Sequence, residues 1–102
     1  STGIAVIGGD NPNGTWQFSS DGGTTWQSLA GTSTASARLL GTDALLCFVP
    51  TKKTFFGTVS LTAVAWNQLM GTSGTLADAT TRGGLTSFST NSFQINQTIL
   101  RS

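Results

Sequence analysis

The feature that most constrains the fold is the stretch at 13–26, NGTWQFSSDGGTTW. Trp16 and Phe18 alternate with polar residues, which is typical of a strand with one buried face. The Ser-Asp-Gly-Gly segment at 20–23 then supplies a turn, because Asp bonds downstream backbone and Gly reaches the positive φ of tight hairpins. The return strand is predicted over 24–29. The stretch therefore predicts a β-hairpin whose Trp16 faces a core.

The rest of the chain has the same short-strand character, and no segment longer than a turn shows the spacing of a helix. Pro50 is expected to end a strand, because it lacks the donor that an internal ladder needs. The long irregular loop at 67–85 is expected to have a function or to carry a small hairpin. Further strands are predicted at 3–9, 37–40, 44–49, 57–66 and 93–99. Together these patterns predict an all-β fold, an antiparallel two-sheet sandwich of six to eight strands.

Composition limits the classes of function and partner that this chain can have. A chain of 102 residues forms one domain, here 1–102, and only 9% of its residues are charged. The net charge of +1 comes with scattered cations, so no nucleic-acid partner is expected. No apolar run has the length of a membrane span. The abundance of Ser, Thr, Gly and Asn, with so few charges, suits an extracellular or cell-surface location.

Catalytic groups are scarce in this sequence, and we predict no catalytic residue. With no His and one Cys, neither a nucleophilic triad nor a zinc site is supported. The four aspartates are spread along the chain, and their spacing does not indicate a glycosidase pair. Asp10 with Asn11 is a candidate for calcium, since hard cations prefer oxygen ligands. The alternative is a solvated turn aspartate, and otherwise no cofactor is expected.

The tryptophans are the main candidates for contact with a partner. Alternation within 57–66 places Trp66 on the face opposite Val59, where the loop at 67–85, a partner module or a sugar could cover it. Trp26 and Asn67 complete the set of candidate contact residues.

Other candidate positions are two glycosylation sequons and one thiol. The sequons begin at Asn13 and Asn96, and they would be used only in a chain secreted by a eukaryote. If Leu46 and Phe48 face the core, Cys47 points to the other side of its strand. The thiol is then either inert and buried or available for an intermolecular disulfide.

Three segments carry a family resemblance: GIAVIGGDNPNGTWQFSSDGGTTWQSL, then LLGTDALLCFVPTKKTFFGTVSLTAVAWNQ, then GTLADATTRGGLTSFSTNSFQI. In this order they resemble a cadherin-like β-sandwich repeat found in tandem in very large bacterial and aquatic surface or secreted proteins. The resemblance implies an immunoglobulin-like fold and a structural or adhesive role without catalysis. It also implies that the chain is one unit of a longer repeat protein.

The partners implied by the resemblance are neighbouring copies of the repeat or other extracellular proteins. The family's repeats often carry acidic residues after the proline and an Asp after the central Trp. Here the sequence has 51–53 (Thr-Lys-Lys) and Asn67, which weakens the case for calcium. The alternative function, from another class, is a carbohydrate-binding module in which Trp66 or Trp26 stacks on a glycan.

Overall fold

The computed structural model describes residues 2–84 and 86–100, and over these residues the chain is all-β with no helix. Residues 2–84 and 86–100 accordingly include no helix that could cross a membrane. Leu85, at the end of the predicted long loop, lies outside the described residues. The strands are β1 (Gly3–Gly8), β2 (Gly14–Ser19), β3 (Gln27–Ser28), β4 (Ala37–Leu40), β5 (Leu45–Pro50), β6 (Gly57–Trp66), β7 (Leu76–Ala77) and β8 (Phe88–Ile99).

These strands form two sheets in which every pairing is antiparallel. The larger sheet has the order β7-β4-β1-β6-β8, and the smaller has the order β3-β2-β5. The predicted all-β, two-sheet architecture is confirmed, and the strand predicted at 57–66 is β6, which pairs on both sides. The sequence range 93–99 belongs to a longer strand, β8, that starts at Phe88.

The opening hairpin forms as predicted, with a shorter return strand. Phe18 of β2 lies opposite Gln27 of β3. The return strand has two residues rather than the predicted 24–29, because Thr25 is drawn into the turn by Asp21. Both the Thr25 N–H (2.9 Å) and the Thr25 hydroxyl (2.5 Å) donate to the Asp21 carboxylate.

The larger sheet buries side chains on both of its faces, because adjacent residues of a strand point to opposite sides. Between the two sheets lies the inner cluster, formed by Val6, Trp16, Phe18, Leu29, Leu40, Phe48, Val59 and Leu61. On the other face of the larger sheet lies the outer cluster, formed by Ala5, Ala37, Leu39, Val64, Trp66 and Ala79. Leu39 therefore belongs to the outer cluster and Leu40 to the inner cluster, although they are neighbours in sequence. The molecule is a two-sheet sandwich with a third layer of irregular chain.

That third layer belongs to the covering segment, residues 67–84, which is irregular except at Leu76–Ala77, where it forms β7 at the edge of the larger sheet. It is fixed along β4 by backbone hydrogen bonds: Gly74 N–H donates to Leu39 O (2.6 Å), and Leu39 N–H donates to Thr75 O (2.9 Å). The Arg38 guanidinium also donates to Gly74 O (2.9 Å). Because these bonds satisfy backbone groups beside the outer cluster, an irregular segment can cover apolar side chains there.

Trp66 is covered by this segment, which is one of the three covers that the sequence left open. The ring is 1% exposed, and its Nε1–H donates to Met70 O at 2.8 Å. Gly71 passes directly above it with φ of +84°, where a Cβ would collide with Leu39 and approach the Trp66 ring. A shift of register between Val64 and Trp66 in the pairing with β8 accompanies this arrangement.

Candidate functional site

Three of the four edge strands are short or obstructed. β3 and β7 have only two residues each. On β5, Phe48 N–H donates to the side-chain oxygen of Gln97, Oε1, at 3.3 Å. Pro50, two residues further on the same side, has no N–H to offer. These are the ways in which proteins protect sheet edges from unwanted pairing.

The fourth edge strand, β8, is long and largely open. Its first residue is covered, since Phe88 O accepts hydrogen bonds from Gly83 N–H (2.7 Å) and the Thr86 hydroxyl (3.1 Å). Beyond that point, over 91–99, no other described part of the chain forms a strand or a backbone hydrogen bond along its outer side. The segment reads NSFQINQTI and contains neither charge nor proline. β8 therefore lacks the features that protect the other three edges.

The two faces of β8 differ in chemistry. Phe93, Ile95 and Ile99 face the inner cluster, and Ile95 and Ile99 pack against it, whereas Phe93 remains 42% exposed. The intervening residues of β8 lie on the opposite face and form a polar surface with the β6 residues that they face. On this surface Ser60 Oγ donates to Asn96 Oδ1 at 2.6 Å. The polar members contributed by β8 are Ser92, Gln94, Asn96 and Thr98.

This arrangement can accept an added strand. Alternate residues of an antiparallel strand direct their N–H and C=O groups away from the existing partner, so the outer side of 91–99 presents a row of unpaired donors and acceptors. An incoming strand would satisfy them while its side chains continue one polar and one half-apolar face. The open part of β8 is about 30 Å long at 3.4 Å per residue. We call it the β8 edge.

The three candidate contact residues do not form one surface. Trp66 is enclosed in the outer cluster. Trp26 lies in the hairpin of the smaller sheet, is 40% exposed, and flanks Gly23 together with Leu45. Asn67 is exposed at the start of the covering segment, where its Oδ1 accepts the Leu69 N–H at 3.0 Å. Of the two tryptophans, only Trp26 presents its ring to a ligand.

The side chains of Asp10 and Asn11 both accept backbone hydrogen bonds, Asp10 from a distant segment and Asn11 within its own turn. Asp10 Oδ1 accepts the Gly31 N–H at 3.1 Å, and Asn11 Oδ1 accepts the Asn13 N–H at 2.8 Å. Both line a cavity of about 130 Å³ together with Trp16. Within residues 2–84 and 86–100, no three His, Cys, Asp or Glu residues come together as a group that could hold a metal ion.

Two other aspartates are bound to their own turns. The Thr25 hydroxyl, then the Thr25 N–H and the Ser19 hydroxyl, lower the pKa of Asp21 to about 2. The hydroxyl and N–H of Thr80 likewise lower the pKa of Asp78. Hydrogen bonds to a carboxylate favour its charged form, so both groups stay ionised at neutral pH and stabilise local structure.

The sequons and the thiol lie at separate places. Asn13 is exposed in the turn before β2, and its carbonyl accepts the Thr51 N–H at 2.9 Å. Asn96 is exposed in the middle of the β8 edge. Cys47 is free and partly buried on β5, opposite Gln17, while Phe48 beside it is buried in the inner cluster. The predicted alternation of this strand is confirmed.

Comparison of the chain with protein families, curated proteins and solved structures gave no match. The cadherin-like resemblance and the immunoglobulin-like type of sandwich therefore stay predictions. The β8 edge was missed by reasoning from the sequence, which predicted a terminal strand there but not its place in a sheet. The available signal was the length of the segment at 91–99 without a charge or proline, a pattern typical of strands that pair with other chains.

Proposed function

We propose that this chain is a non-catalytic structural or adhesive module of an extracellular or cell-surface protein, and that it acts by self-association through the β8 edge. The observation that carries the proposal is the contrast between one long open edge and three short or obstructed ones. In this proposal the sandwich is of the cadherin-like type, and the module is one unit of a tandem repeat.

The physical basis is strand addition. Main-chain hydrogen bonds supply affinity, and the alternating side chains supply specificity. A single edge pairing over about nine residues is small beside a standard protein interface, so one module alone binds weakly. Several modules in tandem raise the effective concentration of each further pairing, and a repeat protein thereby converts weak contacts into stable assembly.

The test is sedimentation velocity over a range of concentrations, on the single module and on a covalent tandem of two modules. We expect association that rises with concentration and is stronger for the tandem. A variant with Gln94→Lys and Thr98→Lys places two charges on the β8 edge and should associate less. The control carries the same charges at exposed loop positions, Thr42→Lys and Thr54→Lys. A monomeric tandem at every concentration, or equal loss in the control, would contradict the proposal.

A second candidate function is carbohydrate binding through Trp26, and the observation that favours it is the partial exposure of that ring beside Leu45. Aromatic rings stack on apolar faces of ligands. The fluorescence of an exposed tryptophan is therefore expected to be quenched or shifted when a ligand binds. Titration with a panel of oligosaccharides should change tryptophan fluorescence in the native chain and not in Trp26→Ala. The Trp26→Ala variant keeping the same response would refute this function.

A further inference from the structure

We infer that the strand added at the β8 edge is β8 of a second copy, antiparallel, with the two-fold axis beside Asn96. This inference rests on the proposed function and specifies its partner. β8 can pair with a second β8 in several registers. The Asn96 register brings matching side chains together and avoids the part of the edge that is already covered.

Antiparallel pairing of identical strands about a two-fold axis places facing residues on the same side of the sheet. With Asn96 opposite itself, Phe93 faces Ile99 of the second copy and Gln94 faces Thr98. The exposed part of the Phe93 ring then gains an apolar neighbour, and the polar face pairs amide with hydroxyl. Ile95 faces Gln97, and no charge meets another anywhere along the pairing.

Other registers fit less well. Centring on Gln97 pairs only 95–99 within β8 and leaves Phe93 outside the pairing. Centring on Ile95 places Phe93 opposite Gln97 and Ile99 opposite Asn91, so two apolar side chains lose apolar partners. Centring on Gln94 extends the pairing back to Ser89, toward the place where Gly83 and Thr86 already bond to Phe88. The Asn96 register spans 93–99 and ends before that obstruction.

Pairing in this register would join the two larger sheets into one continuous sheet of ten strands. The polar faces of β6 and β8 would become a single surface across the two copies, with the two Asn96 amides side by side at its centre. Because Asn96 Oδ1 already accepts from Ser60 Oγ, the side-chain NH₂ of each copy is oriented away from Ser60 and is available across the axis.

Disulfide cross-linking tests the register directly, in a Cys47→Ser background that removes the native thiol. Directly opposed residues have Cα atoms about 4.5–5.5 Å apart, within the range of a disulfide. Asn96→Cys should therefore form a covalent dimer under mild oxidation. Gln94→Cys and Thr98→Cys should each form no covalent dimer alone, because identical positions are about 14 Å out of register, and should form a mixed covalent dimer when combined.

A charge pair provides a second and independent readout. Asn96→Lys should weaken association about two- to fivefold, because like charges directly opposite destabilise a strand pair. Mixing Asn96→Lys with Asn96→Asp should restore it to the native level or above. Far-UV and near-UV circular dichroism of each variant checks that the fold is intact.

The outcomes separate this inference from the proposed function. Association of the native chain without an Asn96→Cys dimer, or with an efficient Gln94→Cys homodimer, would overturn the Asn96 register and leave self-association standing. Absence of association by the native chain and its tandem would overturn both. A mixed Gln94→Cys and Thr98→Cys dimer together with the Asn96→Cys dimer would establish the register.

Discussion

Two buried tryptophans offer a matched test of what holds the covering segment in place. Trp16 and Trp66 are 3% and 1% exposed. Trp66 donates its N–H to Met70 O, whereas Trp16 Nε1 is buried with no acceptor among the described residues. Substituting either by Phe removes a similar volume, about 40 Å³, and creates a cavity worth about 1 kcal/mol. The two substitutions differ mainly in the fate of the indole N–H.

Trp66→Phe also loses a hydrogen bond worth about 1 kcal/mol, so we expect a total loss near 2 kcal/mol. Trp16→Phe removes an unsatisfied buried donor, whose relief is worth about 1–3 kcal/mol and offsets the cavity. The edge-on contact between the rings of Trp16 and Phe48, whose centroids are 5.6 Å apart, can also be made by a Phe at position 16. Trp66→Phe should therefore be less stable than Trp16→Phe by about 2 kcal/mol or more.

The assay is urea unfolding followed by far-UV circular dichroism, with linear extrapolation of the free energy of unfolding to zero denaturant. A difference of 2 kcal/mol corresponds to roughly 8–16 °C in melting temperature for a domain of this size. Equal stability of the two variants would refute the reasoning, because it would mean that the Met70 bond and the unpaired Trp16 donor have no energetic consequence. A reversed order would refute it more strongly.

Three further predictions concern the covering segment, the outer cluster and the hairpin turn. Gly71→Ala should lower the free energy of unfolding in urea by about 2 kcal/mol or more, because the added methyl group collides with Leu39 and φ is positive. Gly22→Ala also has positive φ but adds its methyl group in open space, so it should lower the same free energy by about 1 kcal/mol. Leu39→Ala should lower the free energy of unfolding by about 2–5 kcal/mol in urea, and the exposed Leu69→Ala by less than about 0.5 kcal/mol; similar losses would show that Leu39 is not in a core. The pKa of Asp21 is depressed from 3.8 to about 2, so its stabilising effect is complete above pH 3.8 and is lost as the pH falls toward 2. The melting temperature of the native chain should exceed that of Asp21→Ala most clearly at about pH 5 and converge with it near pH 2, and a gap that does not change with pH would contradict this assignment.

The strands of this fold are predictable from local pattern, and their arrangement in sheets is not. Alternation in the hairpin identified Trp16 and Phe18 as core residues, and both are buried. The extent of the return strand was wrong, because the Asp21 carboxylate captures Thr25 and turns the chain before a ladder can begin. Turn chemistry of this kind competes with strand propensity and is hard to rank from sequence alone.

The second core shows a different limit. Alternation placed Trp66 on the face opposite Val59, and this is confirmed. Alternation left three possible covers for the ring, of which the structure shows the following loop. It could not show that Leu39 and Ala5 join the same cluster, since that depends on strands far apart in sequence pairing side by side. The open edge of β8 has the same origin, because only the order of strands in the sheet decides which strand comes last.

The order β1-β6-β8 also determines how the module responds to a pulling force. Gly3 lies opposite Trp66 at one end of β6, and Ile99 lies opposite Gly57 at the other, about 30 Å away. Tension applied between these two residues runs along the strands, while the hydrogen bonds of the ladders lie across them. The bonds are then loaded in shear, many at once, instead of opening one after another like a zipper. A chain of such modules would resist extension even though each module is held together by ordinary hydrogen bonds.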